Sequence, residues 1–318
     1  MIVTVTLNPA WDVTYPMGAL RPGQTHRVGE ASGRAGGKGI NVSRVLHQLG
    51  HPTLAVGLYG GEPGRAVHED LARSGTPYHL VDGGPIARTR TTVTLVETGG
   101  RATVLCEPGP AADSIDWAAV RESVVDLLDC ARVLVLSGSL PPAVPLDAYA
   151  ELTTAARARG VPVVVDAEGP ALMASLAARP DVVKPNRDEL REATGLDDPG
   201  EGAAALRRAG AGAVVVSLGP DGMLADVGGQ VWLARPPAIR VANPTGAGDA
   251  AVAAVAAGLA GGADWPTILR AAVAWSAAAV CEPVAGVVSS ERATELAALV
   301  EIAADPHRPL DERTPQTC

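Results

Sequence analysis

The sequence predicts an α/β protein in which a mostly parallel central sheet lies between two layers of helices. Three observations lead there. Apolar runs of strand length alternate with stretches of helical periodicity along most of the 318 residues. Runs such as Val133-Leu134-Val135-Leu136 are apolar at every position, as suits strands buried on both faces. Polar and Gly-rich turns follow several of these runs, the place where open α/β sheets bind their ligands.

The elements follow in order. Residues 1–7 alternate like a strand and lack the basic region of a secretory leader. Val42, Val45, Leu46 and Leu49 recur at helical spacing, and Gly50 stops that helix. Further strands are predicted at 53–58, 132–136, 161–165 and 213–217, with helices at 64–74, 116–129, 146–159 and 201–209. Two segments, 13–30 and 88–105, break the alternation with short β-rich stretches and turn residues. In the second, Thr91 to Val96, a turn at Gly99-Gly100, and Ala102 to Leu105 form a predicted hairpin. It suits either an edge hairpin of the main sheet or a small β-lid over a cleft. From Thr245 onward the chain reads as helical and Ala-rich, and the polar, Pro-containing 305–318 as a flexible tail. No repeat or linker is visible, so residues 1–304 are expected to form one core domain with a lid.

Composition narrows the function. A formal net charge of −9 disfavours a nucleic-acid or membrane-surface partner. No run of about 18 apolar residues offers a membrane span. The 4 cysteines are too scattered for a zinc or redox motif, and reduced thiols in a cytoplasmic protein are expected. Phe is absent and aromatics are 3% of the chain, so Ala, Val and Leu must fill the core.

The strongest chemical signal is Asn243-Pro244-Thr245-Gly246-Ala247-Gly248-Asp249, a Gly-rich turn running into a predicted helix at 250–259. Unpaired N–H groups and the helix dipole make such a start an anion site. Asp249 could then act as general base toward a bound hydroxyl, or could only cap the helix. The same residues fit the dinucleotide pattern G-x-G-x-x-A, but three features oppose it. The segment before is short and cut by Pro244, no strand–helix–strand unit follows, and Asp249 would set a negative charge where a pyrophosphate belongs. Gly36-Gly37-Lys38-Gly39-Ile40-Asn41 is a second Gly-rich turn into a helix, not a P-loop, since no Ser or Thr follows the Lys. Asn41 can both donate to and accept from sugar hydroxyls. Ser137 to Pro141, Val183 to Asn186 and Ser217 to Gly222 sit where predicted strands end.

Together these residues resemble the ribokinase-like (PfkB) carbohydrate kinases, over nearly the whole chain. The 36–41 turn is similar to that family's first signature and 245–249 to its second. Leu7 to Asp12, Ser137 to Pro141 and Val183 to Leu190 resemble its phosphosugar branch, which holds 1-phosphofructokinase, tagatose-6-phosphate kinase and the minor 6-phosphofructokinase. The resemblance implies a ribokinase-like fold, with a β-lid from about 13–30 and 88–105. It implies ATP and magnesium as cofactor and metal; the unpaired edges of such a lid suggest a homodimer through it, in the cytoplasm that the cysteines point to. The expected reaction is that of 1-phosphofructokinase, fructose 1-phosphate to fructose 1,6-bisphosphate. Tagatose-6-phosphate kinase, 6-phosphofructokinase and a non-catalytic sugar-phosphate sensor are the alternatives. Implied roles are Asp249 as base, Gly246, Ala247 and Gly248 as anion hole, and Asp12, Gly36, Gly37, Lys38, Asn41 and Ser139 around the sugar. Arg90 would bind the substrate's phosphate, with Arg27 as a second cation. Lys184, Asn186, Glu189, Ser217, Gly219, Gly222 and Thr245 would hold the nucleotide, with Glu189 toward the metal. The sequence departs from the branch at Asn243-Pro244 and at Cys281-Glu282-Pro283, the latter near the expected adenine wall.

Overall fold

The computed structural model describes residues 1–84, 87–99, 101–112, 114–282 and 284–304. Gly100, Pro283 and the expected tail 305–318 lie outside the described residues. In chain order the strands are β1 (Ile2–Thr6), β2 (Ala10–Met17), β3 (Ser32–Gly36), β4 (Thr53–Tyr59), β5 (Tyr78–Asp82), β6 (Arg90–Glu97), β7 (Ala102–Cys106), β8 (Val133–Ser137), β9 (Val163–Asp166), β10 (Val182–Val183), β11 (Ala213–Ser217), β12 (Met223–Val227), β13 (Gln230–Arg235) and β14 (Glu301–Ala303). The helices are α1 (Lys38–Gln48), α2 (Gly61–Ser74), α3 (Trp117–Asp126), α4 (Ala148–Arg157), α5 (Gly169–Ser175), α6 (Arg187–Thr194), α7 (Pro199–Ala209), α8 (Ala247–Gly261), α9 (Trp265–Val280) and α10 (Ser290–Leu299).

The main sheet has 10 strands in the order β14-β13-β12-β11-β10-β9-β8-β1-β4-β5. From β5 to β11 every neighbouring pair is parallel. β12, β13 and β14 extend it antiparallel. This end is a correction: residues 223–235 carry no assignment in the sequence reading, and β14 lies in the stretch read as helical. β14 is three residues long and too short to announce itself, and it forms because β13 offers it an open edge.

The apolar strands feed two cores. Val133, Val135 and Val164 face the layer of α1, α8, α9 and α10. Leu134, Leu136, Val163 and Val165 face the layer that contains α4, α5 and α7. Alternate residues of one strand therefore meet opposite helix layers, which is why every position is apolar. α8 is lined by Ala and Val and packs on α9, so small side chains replace the missing aromatics by close approach. No helix among the described residues is long and apolar enough to cross a membrane.

A second sheet of 4 strands has the order β3-β2-β6-β7. The 88–105 hairpin therefore joins β2 rather than the edge of the main sheet, with β2 parallel to β6. The expected boundary 13–30 moves. Strand structure occupies Ala10–Met17 and Ser32–Gly36, while 18–31 is an irregular connection. Gly18, Pro22, Gly23 and Gly29 in that connection oppose a continuous ladder.

Candidate active site

The carboxyl ends of β8, β9, β10 and β11 open onto the first turn of α8. The turn before α8 is shaped by Asn243, whose Oδ1 accepts the Thr245 N–H at 2.9 Å. Gly246 then takes φ 87°, and a methyl group on it would stand 2.9 Å from the Gly286 nitrogen. No side chain fits there. Gly246 is the N-cap and no side chain caps the helix. Asp249 is thus no cap. It lies in the first turn, 7% exposed, with Asn41 Nδ2 donating to its Oδ2 at 2.8 Å. Burial, and next the charge of Asp166, push its pKa up to about 7, while Asn41, Lys38 and Lys184 restrain the shift. The segment 239–242 before this turn is not a strand, so the dinucleotide pattern lacks its framework.

Asp166 ends β9 and is 2% exposed. It accepts from Ser137 Oγ at 3.1 Å, with Lys184 Nζ 3.3 Å from Oδ1 and Lys38 Nζ 3.8 Å from Oδ2. Burial alone would raise its pKa, but the two ammonium groups hold it below the usual value. Lys38 is also 3.7 Å from Glu189 Oε1, and Asp166 above all keeps its pKa high. The Lys184 ammonium lies 3.5 Å from where a Gly248 methyl would stand, so it faces the α8 turn. α6 starts with a capping box: Asn186 Oδ1 accepts from the Glu189 N–H at 2.8 Å, and Glu189 Oε2 accepts from the Asn186 N–H at 2.8 Å. A bridge pairs Asn186 with Ser217. Gly219 and Gly222 flank the short turn from Ser217 into β12.

The second sheet supplies the opposite wall. Asp12 stands directly across from Arg34 on β3 and from Thr92 on β6. A methyl group on Gly36 would meet Asp12 Oδ2 at 1.8 Å, so Gly36 is what lets that carboxylate reach the α1 turn at Gly37. Burial raises the Asp12 pKa against a hydrogen bond from Thr92 and the charges of Arg90 and Arg34. Arg90 is half-buried, its Nε donating to the Asn8 carbonyl at 3.2 Å and its Nη1 to that of Glu107 at 3.5 Å. Asn8 Nδ2 also donates to Ser139 Oγ at 3.1 Å.

The structure thus gathers Asp12, Lys38, Asn41, Arg90, Ser139, Lys184, Asn186, Glu189, Ser217 and Asp249, with the glycines 36, 37, 246 and 248 at the turns between them. Arg27 and Thr245 are exposed: Thr245 joins the turn through its N–H to Asn243, and none of the side-chain bonds given above reaches Arg27. Two residues escaped sequence reasoning. Asp166 follows Val163-Val164-Val165, and its place at a strand's carboxyl end could have flagged it. Arg34 belongs to no motif and is found only through the β2–β3 register. Among the described residues no three His, Cys, Asp or Glu side chains are grouped to hold a metal. Both Glu189 oxygens already have partners, the Asn186 N–H and the Lys38 ammonium.

Comparison with known proteins matches residues 5–292 to the pfkB family carbohydrate kinase model. Phosphofructokinase-2 from Escherichia coli in complex with fructose-6-phosphate superposes with a TM-score of 0.85 at 31% identity, over 94% of this chain and 98% of that one. A possible 1-phosphofructokinase from Thermotoga maritima gives a TM-score of 0.83 at 26% identity, over 95% and 98%. Arabidopsis thaliana ribokinase complexed with ribose and ATP gives 0.77 at 22%, over 93% and 98%, a likeness of fold.

Proposed function

Since this chain belongs to the pfkB family of carbohydrate kinases, we propose that it phosphorylates a ketohexose phosphate with ATP, Asp249 being the base. The observation that carries this reading is the buried carboxylate of Asp249, poised near pKa 7 and held by Asn41 beside the α8 turn. The acceptor oxygen bonds to the γ-phosphorus as the bond to the β,γ-bridging oxygen breaks. ADP leaves, and Asp249 takes the acceptor's proton. The Gly246, Ala247 and Gly248 amides face the charge on the transferring group. Lys38 and Lys184, both paired with Asp166, line the path between the two substrates. Asn186, Glu189, Ser217, Gly219, Gly222 and Thr245 surround the nucleotide. Glu189 is the side chain that would face a magnesium ion brought in on the nucleotide phosphates. Such an ion neutralises phosphate charge.

Asp12, Asn41 and Ser139 take the sugar hydroxyls, and Arg90 takes its phosphate. The 4-stranded sheet acts as a lid that excludes water. The substrate we favour is fructose 1-phosphate, converted to fructose 1,6-bisphosphate. The likeness to Escherichia coli phosphofructokinase-2 supports a second reading, phosphorylation of a 6-phosphate such as fructose 6-phosphate or tagatose 6-phosphate. A kinetic panel of these three with ATP separates them. The highest kcat/KM is expected for fructose 1-phosphate, and a preference for a 6-phosphate reverses the order. Binding without turnover of any of them would leave a sugar-phosphate sensor. The location we expect is the cytoplasm, and the assembly a homodimer through the lid.

A further inference from the structure

We propose that Arg34 is a catalytic cation of this site, contacting the phosphoryl group at the acceptor end of the sugar phosphate while it transfers. The inference rests on the phosphosugar-kinase reading and assigns a residue that reading does not use.

Side chains two apart on a strand share a face, as do direct partners across a ladder. Arg90 and Thr92 on β6, Asp12 on β2 and Arg34 on β3 therefore lie on one face of the lid. The two arginines point to different ends of it. Arg90 is tied to the carbonyls of Asn8 and Glu107, on the side of Ser139. Arg34 Nη1 donates to the carbonyl of Ala285, between α9 and α10. Its Nη2 lies 3.4 Å from where a Gly286 methyl would stand, and Asn41 Oδ1 lies 3.0 Å from the same point. Asn41 in turn holds Asp249, and the Gly286 nitrogen backs the Gly246 turn. One side chain thus separates the Arg34 guanidinium from the base, and one backbone segment separates it from the anion turn.

The charge balance points to an anion. Arg44 on α1 pairs with Asp70 on α2, and Asp70 also accepts the Ala35 N–H at 2.9 Å. Asp12 is the carboxylate across from Arg34, and Asp70 and Asp12 both favour the charged guanidinium. Burial and the nearby Arg44 push the Arg34 pKa down to about 10, so it remains a cation at neutral pH. A cation held against burial and a like charge gains most when a dianionic group arrives beside it.

A ketohexose phosphate carries its phosphate at one end and the reacting hydroxyl at the other. With Arg90 at the first end, Arg34 stands at the second. During transfer the new O–P bond forms, the bond to ADP breaks and the proton goes to Asp249. Arg34 donates N–H bonds to the phosphoryl oxygens without changing its own charge. Afterwards the bisphosphate product has one phosphate at each arginine.

The test uses the full chain with Arg34→Met, which keeps the apolar stem, and Arg34→Lys, which keeps a charge. Expected is a fall in kcat of about 10²–10³-fold for the Met variant, with KM for sugar phosphate and ATP little changed. The Lys variant recovers part of kcat. Binding of ADP–aluminium fluoride with the sugar phosphate, and of the bisphosphate, weakens in the Met variant, while binding of the monophosphate alone does not. Near-normal kcat, or a rise confined to the sugar-phosphate KM, overturns the assignment. Loss of Tm and of monophosphate binding in both variants also overturns it, making Arg34 a strut on Ala285. If the Met variant does not fold, the Lys variant alone decides, because unimpaired kcat there sinks the idea. Wild-type protein that phosphorylates none of the three sugar phosphates overturns the parent reading and this one with it. Wild-type turnover with an unaffected Met variant overturns this one alone.

Discussion

Asp249 is costly to bury as an anion, and that cost is the source of its proposed basicity. Asp249→Asn is nearly isosteric, so sugar-phosphate binding should persist while kcat falls about 10²–10⁴-fold, because an amide cannot take the proton. Near-normal turnover would remove Asp249 from the mechanism. In the wild type, kcat/KM should rise as pH increases through about 7, where the carboxyl loses its proton, and then level off. Stability runs the other way. The folded carboxyl keeps its proton to about pH 7 and the unfolded one loses it near 3.8, so the contribution is complete below 3.8 and lost as pH rises through 7. Asp249→Asn should therefore raise the apo Tm at pH 8 by on the order of a few degrees, with the gap closing toward pH 4. A gap that does not vary with pH would contradict the shift. Arg90 makes a separate prediction. Its carbonyl partners fix the guanidinium before any ligand arrives, so Arg90→Ala should raise the sugar-phosphate KM about 10- to 150-fold and leave the ATP KM nearly unchanged. Arg90→Lys should recover only part, since an ammonium lacks the fork. An unchanged sugar-phosphate KM would place the phosphate elsewhere.

Among the helices, α6 shows how a short element can carry function. It spans Arg187–Thr194, and its polar sequence leaves Leu190 as its buried anchor. The capping box at its start closes the loop after β10 and fixes Glu189 beside Lys38. Asn186→Ala should destabilise the protein by about 1 kcal/mol, the usual value of a cap, and should raise the ATP KM. Loss of stability with an unaltered ATP KM would make the box purely structural. The helices α1, α2, α3, α4, α7 and α8 and the β6–β7 hairpin were legible because their spacing and turns are local, as with Gly50 just after α1, whereas α5 and α6 had no assignment from sequence. β3 was not legible. Ser32-Gly33-Arg34-Ala35-Gly36 has no strand propensity, and it is extended because β2 pairs with it and Asp70 on α2 accepts its Ala35 N–H.

At the scale of the whole molecule, the 4-stranded sheet has open edges at β3 and β7. On β7 the adjacent residues Val104 and Leu105 are 53% and 57% exposed. Neighbours in a strand point to opposite faces, so both faces are bare at this edge. Such an edge invites pairing with a second copy. The chain should sediment as a dimer at micromolar concentration, and Leu105→Glu should shift it toward monomer. A wild-type monomer under those conditions would end the lid-to-lid proposal.

Local order in the chain was enough for the parallel core, the two Gly-rich helix starts and the Asp249 turn. Each depends on residues within a few positions of one another: Val runs for doubly buried strands, glycine where the backbone must turn left-handed, an acid in the first turn of a helix. It was not enough for the cluster itself. Asn41 and Asp249 are 208 positions apart, and Arg34 and Ala285 are 251. Arg34 reads locally as one more surface arginine, and becomes a neighbour of the base only through the β2–β3 register and the packing of the α9–α10 connection. Register and packing are set by burial summed over the whole core, and that sum has no signature in any short stretch of sequence.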